Sequence, residues 1–295
     1  MGAEGTELKG AQLAEGDVAR VVSLLVRHEV IAEAVVLDVG DQIDREVTAF
    51  KAHQADRLMA NVGRGHQPGL IQDLIRLQST MQELPNQLFL QAFCMWQLIP
   101  RLVETATMYF AQRRPIELGS FVWRVDAKDV AVTTMESLWV SLIGPIITAE
   151  SAEKPMGMIP GADYSFYARF DMVAPDASLA RTGHYYTDMK KILREDFAFA
   201  SSATDLGLQM ADIAVSALTR ALNGTLQEDG WRSLGSLFLR RSEGPVRLIA
   251  LSTTESVAPR QVGNSHWRAV MQQLDASARA MLTKRTLAFE EGGTN

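Results

Sequence analysis

The sequence predicts an α/β protein, and three observations carry that expectation. Two short runs rich in β-branched and aromatic residues, 30–39 and 119–126, are bounded by turn residues and read as strands. Around them apolar residues recur at intervals of three and four, the period of amphipathic helices. A helical segment precedes the first strand and a long helical stretch separates the two, an order that points to a sheet covered by helices.

Taken in order, the first helix is expected from about Asp17, a plausible cap, with Val18, Val21, Val22, Leu25 and Val26 at helical spacing. The run 30–39 then stops at Gly40-Asp41 and leaves Asp38 near its exit. From about Ile43 to Phe110 the pattern is helical: Val47, Phe50 and Leu58 mark one helix, Leu70, Leu74, Leu77 and Met81 a second. A third follows Pro85, with Asn86 as its cap, Pro100 as a kink, and Phe89, Phe93, Trp96 and Phe110 as core material. The strand at 119–126 alternates Phe121, Trp123 and Val125 and ends at Asp126. A helix from Met135 to Ile143 is expected to stop at Gly144-Pro145, and 165–173 alternates well enough for a strand. A short strand at 196–200 leads into a helix over 204–218. A further strand at 245–252 and a closing helix capped by Asn264, carrying Trp267 to Leu282, complete the chain. With no repeat and no convincing linker, 1–295 reads as one domain with a helical insertion at about 43–112 and a strand-helix extension at about 237–289.

Composition narrows the function classes. A net charge of −6 and a pI near 5.5 argue against a sequence-independent nucleic-acid coat and leave room only for a local basic groove. The basic clusters are Arg113-Arg114, Lys190-Lys191 with Arg194, Arg240-Arg241 and Lys284-Arg285, each expected as a solvated face. The single cysteine, Cys94, excludes a disulfide framework within the chain and points to a reducing, cytoplasmic compartment. No apolar run approaches the roughly 20 residues that span a bilayer, so no membrane association is expected. Glycine-rich phosphate loops, the serine-hydrolase elbow and metal-ligand histidine spacing do not occur.

Carboxylates remain. The helix over 204–218 sets Asp205 and Asp212 seven positions apart, about 20° from each other around the axis, with Gln209 between them. Ser202 with Asp205 also fits a capping box, the structural explanation of Asp205. Glu7, Asp38, Asp126 and Asp212 are the acids available for a shared pocket. Carboxylates gathered from strand ends and a helix repel one another, are tolerated around a divalent cation, and with Mg²⁺ or Mn²⁺ suit phosphodiester displacement. Asp38 is counted among the metal ligands on that reasoning alone.

Leu208-Gln209-Met210-Ala211-Asp212 resembles the L-Q-x-A-D motif of the domain-of-unknown-function family 3800. Phe197-Ala198-Phe199-Ala200-Ser201 resembles that family's strand and serine before the helix, and Glu7-Leu8-Lys9-Gly10 its E-x-K-G segment. Ala34 to Asp38 and Val125-Asp126 are similar to its strands with terminal acids, and the matches keep the family's order from about residue 7 to about residue 222. The resemblance implies an RNase H-like mixed sheet flanked by helices and a nuclease-type activity dependent on Mg or Mn. It implies Asp212, Asp126 and Glu7 as catalytic, metal-binding acids, with Gln209 and Lys9 as polar neighbours. Family members begin with a strand carrying D-E-S-G, which nothing before Glu7 resembles, so a truncated or degenerate chain is expected. The leading expectation is therefore a metal-dependent nuclease. Its alternative is a non-catalytic RNase H-like protein that binds a protein or nucleic-acid partner, or a second copy of itself; a small-substrate hydrolase or transferase has no motif behind it.

Overall fold

In the computed structural model, the structure describes residues 9–38, 44–60, 68–127, 133–153, 156–172, 186–249, 251, 265–284 and 286. The protein is mixed α/β and mostly helical, with few and short strands. After a 3₁₀ turn at Gly10–Gln12 come α1 (Glu15–Arg27), β1 (Val35–Leu37), α2 (Asp44–Ala60), α3 (Pro68–Glu83) and α4 (Asn86–Ala111). β2 (Trp123–Asp126), α5 (Thr134–Leu138), a π-helical turn (Trp139–Ile143) and α6 (Gly144–Glu153) follow. Then come β3 (Asp171–Met172), β4 (Tyr186–Thr187), α7 (Met189–Arg194), β5 (Phe197–Ala200) and α8 (Leu206–Leu222). The chain continues through α9 (Glu228–Trp231) and β6 (Arg247–Ile249) to α10 (Ser265–Ser277).

The described strands form three pairs rather than one mixed sheet: β1 with β6 and β2 with β5, both parallel, and β3 with β4, antiparallel. The predicted strands are shorter in the structure for local reasons. Among the described residues of 30–39 only Val35–Leu37 form a strand, because the Ala32 N–H leaves the ladder to donate to the Leu237 carbonyl at 2.8 Å. Of the described residues of 165–173 only Asp171–Met172 form a strand; before them Tyr167 and Phe170 are both buried, the three-residue repeat of the 3₁₀ turn they occupy.

Helix boundaries are corrected too. α1 begins at Glu15 with Ala14 as its cap, so Asp17 sits in the first turn, where its charge favours the helix N-terminus. Asn86 is the first residue of α4 rather than its cap; its Nδ2 donates to Thr48 Oγ1 at 3.0 Å and ties α4 to α2. Gly144-Pro145 does not stop the helix. Widening to the π repeat at 139–143 lets α5 and α6 run on as one rod, with the Gly144 N–H on the Trp139 carbonyl. α10 ends at Ser277, short of Met281 and Leu282, and its expected cap Asn264 lies outside the described residues.

Two buried clusters hold the fold. One is built on α4, where Phe89, Phe93 and Trp96 meet Phe50 of α2 and Leu142, Ile143 and Ile147 of the rod. Phe50 and Trp96 each approach Phe93 edge-on at 5.0 Å, and burying each such ring contributes about 1.5–3 kcal/mol. α2, α3 and α4 are thus part of the principal core. The second cluster joins α1, α8 and α10 through Val18, Val22, Ala217, Ala221, Val270 and Leu274, with Trp231 and Leu234 beneath. β1 touches both, Val36 packing against the second cluster and Leu37 against the first.

Between α4 and the chain leading into β1 and β6 lies a buried ionic knot. Arg101 Nε donates to Glu33 Oε2 at 2.5 Å and Thr105 Oγ1 to Glu33 Oε1 at 2.7 Å. Arg101 also pairs with Glu243, and Arg241 bridges Glu33 and Glu104 at 3.5 and 2.8 Å. No described helix is long and apolar enough to cross a membrane.

Candidate functional site

The predicted site residues divide between two places. The first is α8. Asp205 rather than Ser202 is its N-cap: the carboxylate accepts the Leu208 N–H at 3.0 Å. That bond replaces one of the missing helical partners of the first turn and accounts for Asp205 as a structural residue. Gln209 is half-buried on the next turn. Asp212 is exposed, and its Oδ2 accepts the Gly10 N–H at 3.0 Å across 202 positions of sequence.

Glycine is required at residue 10. A Cβ there would lie 2.7 Å from Ile213 Cα and 2.8 Å from Ser216 Cβ, so only a bare backbone comes this close to α8. Two turns beyond Asp212, Arg220 Nη1 donates to the carbonyls of Gly10 and Leu13 at 3.3 and 2.8 Å. Asp212 and Arg220 therefore strap the segment 9–13 along the helix, one by an N–H and the other by carbonyls. Lys9 is exposed at the end of this strap, and Glu7 lies outside the described residues.

The second place is a cleft of about 1070 Å³. Asp38, just beyond β1, and Asp126, the last residue of β2, both line it, as their positions at strand exits predict. Asp126 Oδ1 also accepts the Ser202 N–H at 3.3 Å and so fixes the turn between β5 and α8. Asp212, Gln209 and Asp205 are not part of this lining; α8 contributes Thr219 and Leu222 instead, with its C-cap Asn223.

Two further carboxylates line the cleft, Asp44 and Glu136. Glu136 is only 6% exposed and closes a capping box with Thr133: its Oε2 accepts the Thr133 N–H at 2.7 Å, and its own N–H donates to Thr133 Oγ1. Its Oε1 has no hydrogen-bond partner. The T-x-x-E spacing was legible in the sequence as a helix start; its place on the cleft was not. Cys94 lines the same cleft, and burial pushes its thiol up to about 11, which keeps it protonated and unreactive at neutral pH.

Carboxylate oxygens are hard donors of the kind that bind Mg²⁺ or Ca²⁺. Asp212 and Asp126 are exposed carboxylates, each with one oxygen on a backbone N–H and acceptor capacity left on the other. Among the described residues no three His, Cys, Asp or Glu side chains are close enough to hold one ion.

Most of the basic clusters serve the fold. Arg113 donates to the Met281 and Ala280 carbonyls and lies 3.9 Å from the Tyr109 ring centre. Arg114 pairs with Glu29 and Glu117, Arg240 donates to the Asp275 and Ala278 carbonyls, and Arg241 belongs to the ionic knot. Lys191 Nζ donates to the Arg169 carbonyl, while Lys190 and Arg194 face solvent. Compared with family models, curated proteins and solved structures, the chain matches none.

Proposed function

We propose that the protein is a Mg²⁺- or Mn²⁺-dependent phosphodiesterase of RNase H-like type acting on nucleic acid, with its centre where Gly10 meets α8. One observation carries this reading: the Gly10 N–H on the Asp212 carboxylate joins the E-x-K-G-like segment to the L-Q-x-A-D-like helix. The last residue of the one segment is in contact with the acid of the other. Asp212 and Glu7 would hold the cation, with Gln209 and Lys9 as polar neighbours, while Asp126 lines the separate cleft. A divalent cation bound there supplies the positive charge that stabilises the displaced phosphodiester oxygens. Asp212 fixes the geometry at Gly10 and keeps an oxygen for the ion.

The test is cleavage of labelled single- and double-stranded DNA and RNA with Mg²⁺, Mn²⁺ or chelator. Metal-dependent cleavage lost in Asp212→Asn is the expected result, because Asn retains an acceptor for Gly10 and removes the charge. Absence of cleavage together with absence of calorimetric heat on Mn²⁺ addition overturns the reading. The second reading is an RNase H-like protein that binds a partner without chemistry; it is favoured by the size of the cleft and by its separation from Asp212.

A further inference from the structure

The two parallel strand pairs turn open edges toward connected spaces. In the β2–β5 ladder the Trp123 N–H donates to the Asp196 carbonyl and the Ala127 N–H to the Ala200 carbonyl. Parallel ladders use alternate residues, so Trp123, Val125 and Ala127 face β5, and Arg124 and Asp126 turn their N–H and C=O groups away from it. In the β1–β6 ladder the Arg247 N–H donates to the Ala34 carbonyl, which by the same alternation leaves Val35 and Leu37 facing outward.

Those outward edges adjoin cavities. β1 lines the 1070 Å³ cleft from Val35 to Asp38, and no residue of β6 does. Along β2 a second cavity of about 520 Å³ is lined by strand residues including Arg124, and no residue of β5 takes part. The two cavities share Met95, Val125, Asp126 and Trp139, so they form one trough. Its floor is the half-buried apolar stripe of α4, Met95, Leu98 and Leu102. Among the described residues no strand pairs with this edge of β2, and an unpaired edge beside an apolar floor is the template for an added strand.

Charge narrows the occupant. Among the described residues the larger cavity carries four carboxylates, Asp38, Asp44, Asp126 and Glu136, and no Lys, Arg or His. The partnerless Oε1 of Glu136, on a side chain buried in that wall, adds a specific demand for a hydrogen-bond donor or a cation. A nucleic acid would meet like charge here.

We infer that the trough binds an extended peptide segment of another protein, alternating apolar and basic residues, which adds as a β-strand to the open edge of β2. Its backbone bonds to Arg124 and Asp126, its apolar side chains cover Met95 and Leu98, and its ammonium or guanidinium groups meet Asp44, Asp126 and Glu136. Asp212 has no part in it and the peptide assay contains no metal, so its outcome is read separately from that of the cleavage test.

The probe is a fluorescein-labelled peptide of alternating valine and lysine, followed by polarisation with the full chain. Saturable binding is expected, together with a loss on the order of tenfold or more when the backbone nitrogens facing the strand are N-methylated, since each backbone bond lost costs about fivefold. A valine-glutamate peptide should not bind. Arg124→Pro removes an outward N–H without touching a β2–β5 bond and should weaken binding several-fold, with circular dichroism confirming the fold. The methylated peptide tests the wild-type chain and stands whatever that variant does. Failure of the valine-lysine peptide to bind, equal binding of the methylated or the glutamate peptide, or displacement by oligothymidylate overturns the proposal.

Discussion

Arg101→Met is the perturbation with the most to say about this fold. Arg101 is 4% exposed and Glu33 1%, and they meet in the knot that fastens α4 to the chain before β1 and β6. Methionine fills much of the arginine volume but leaves the buried Glu33 carboxylate without its nearest cation. Breaking a buried pair from one side typically costs about 3–5 kcal/mol, because the remaining charge is stranded rather than because the pair was worth that much. Here Arg241 stays 3.5 Å from Glu33 and Thr105 still donates, which places the expected loss near the lower end, about 3 kcal/mol. At this chain length that corresponds to a fall of roughly 6 °C in Tm. Adding Glu33→Leu to Arg101→Met removes the stranded charge, so the double variant should lose less than the sum of the singles by at least about 1 kcal/mol. Urea unfolding with an unchanged m-value measures each corner of the cycle. A loss below about 1 kcal/mol for Arg101→Met, or strict additivity in the double variant, would refute the argument.

Gly10→Ala puts a methyl group against Ile213 and Ser216 and should cost about 1–3 kcal/mol by thermal unfolding; unchanged stability would show that α8 yields freely there. Cys94 should resist iodoacetamide at pH 8 in the folded protein and react promptly in urea, since burial holds its thiol at about 11; fast labelling of the native chain would contradict that. Burial likewise pushes the Tyr167 hydroxyl up to about 12 from an ordinary 10.0, and Cys94 up from 9.0. Both groups hold their protons longer folded than unfolded, so the stability they contribute is complete below about pH 9 and is lost as pH rises toward about 12. A chemical-denaturation series across that range that stays flat would contradict the assignment.

The long helices were legible because their apolar positions repeat without interruption, as at Phe89, Phe93 and Trp96. The α/β character was legible too, since Val35–Leu37, Trp123–Asp126 and Phe197–Ala200 lie inside predicted strands. What the sequence hid was where tertiary partners override local preference. Ala32 looks like strand until Leu237 takes its N–H, and Gly144-Pro145 looks like a stop until a π turn accommodates it. In the site, Asp205 as a cap could be inferred locally because its partner is Leu208. The contact of Asp212 with Gly10 could not, because nothing short of the fold sets residues 202 positions apart beside each other. Glu136 was missed because its capping role is local and complete on one oxygen, while the significance of the other depends on a wall built by β1, α2 and α4.

β1 is a septum. Three residues long, it is wetted on one side by the core of α4 and on the other by the core of α1, α8 and α10, through Leu37 and Val36 in succession. A displacement of this strand by even a fraction of an ångström is therefore a simultaneous repacking of both halves, and neither can relax alone. Amide protons in α4 and in α10 should then gain or lose protection together when anything seats beside β1, although the two helices belong to separate clusters.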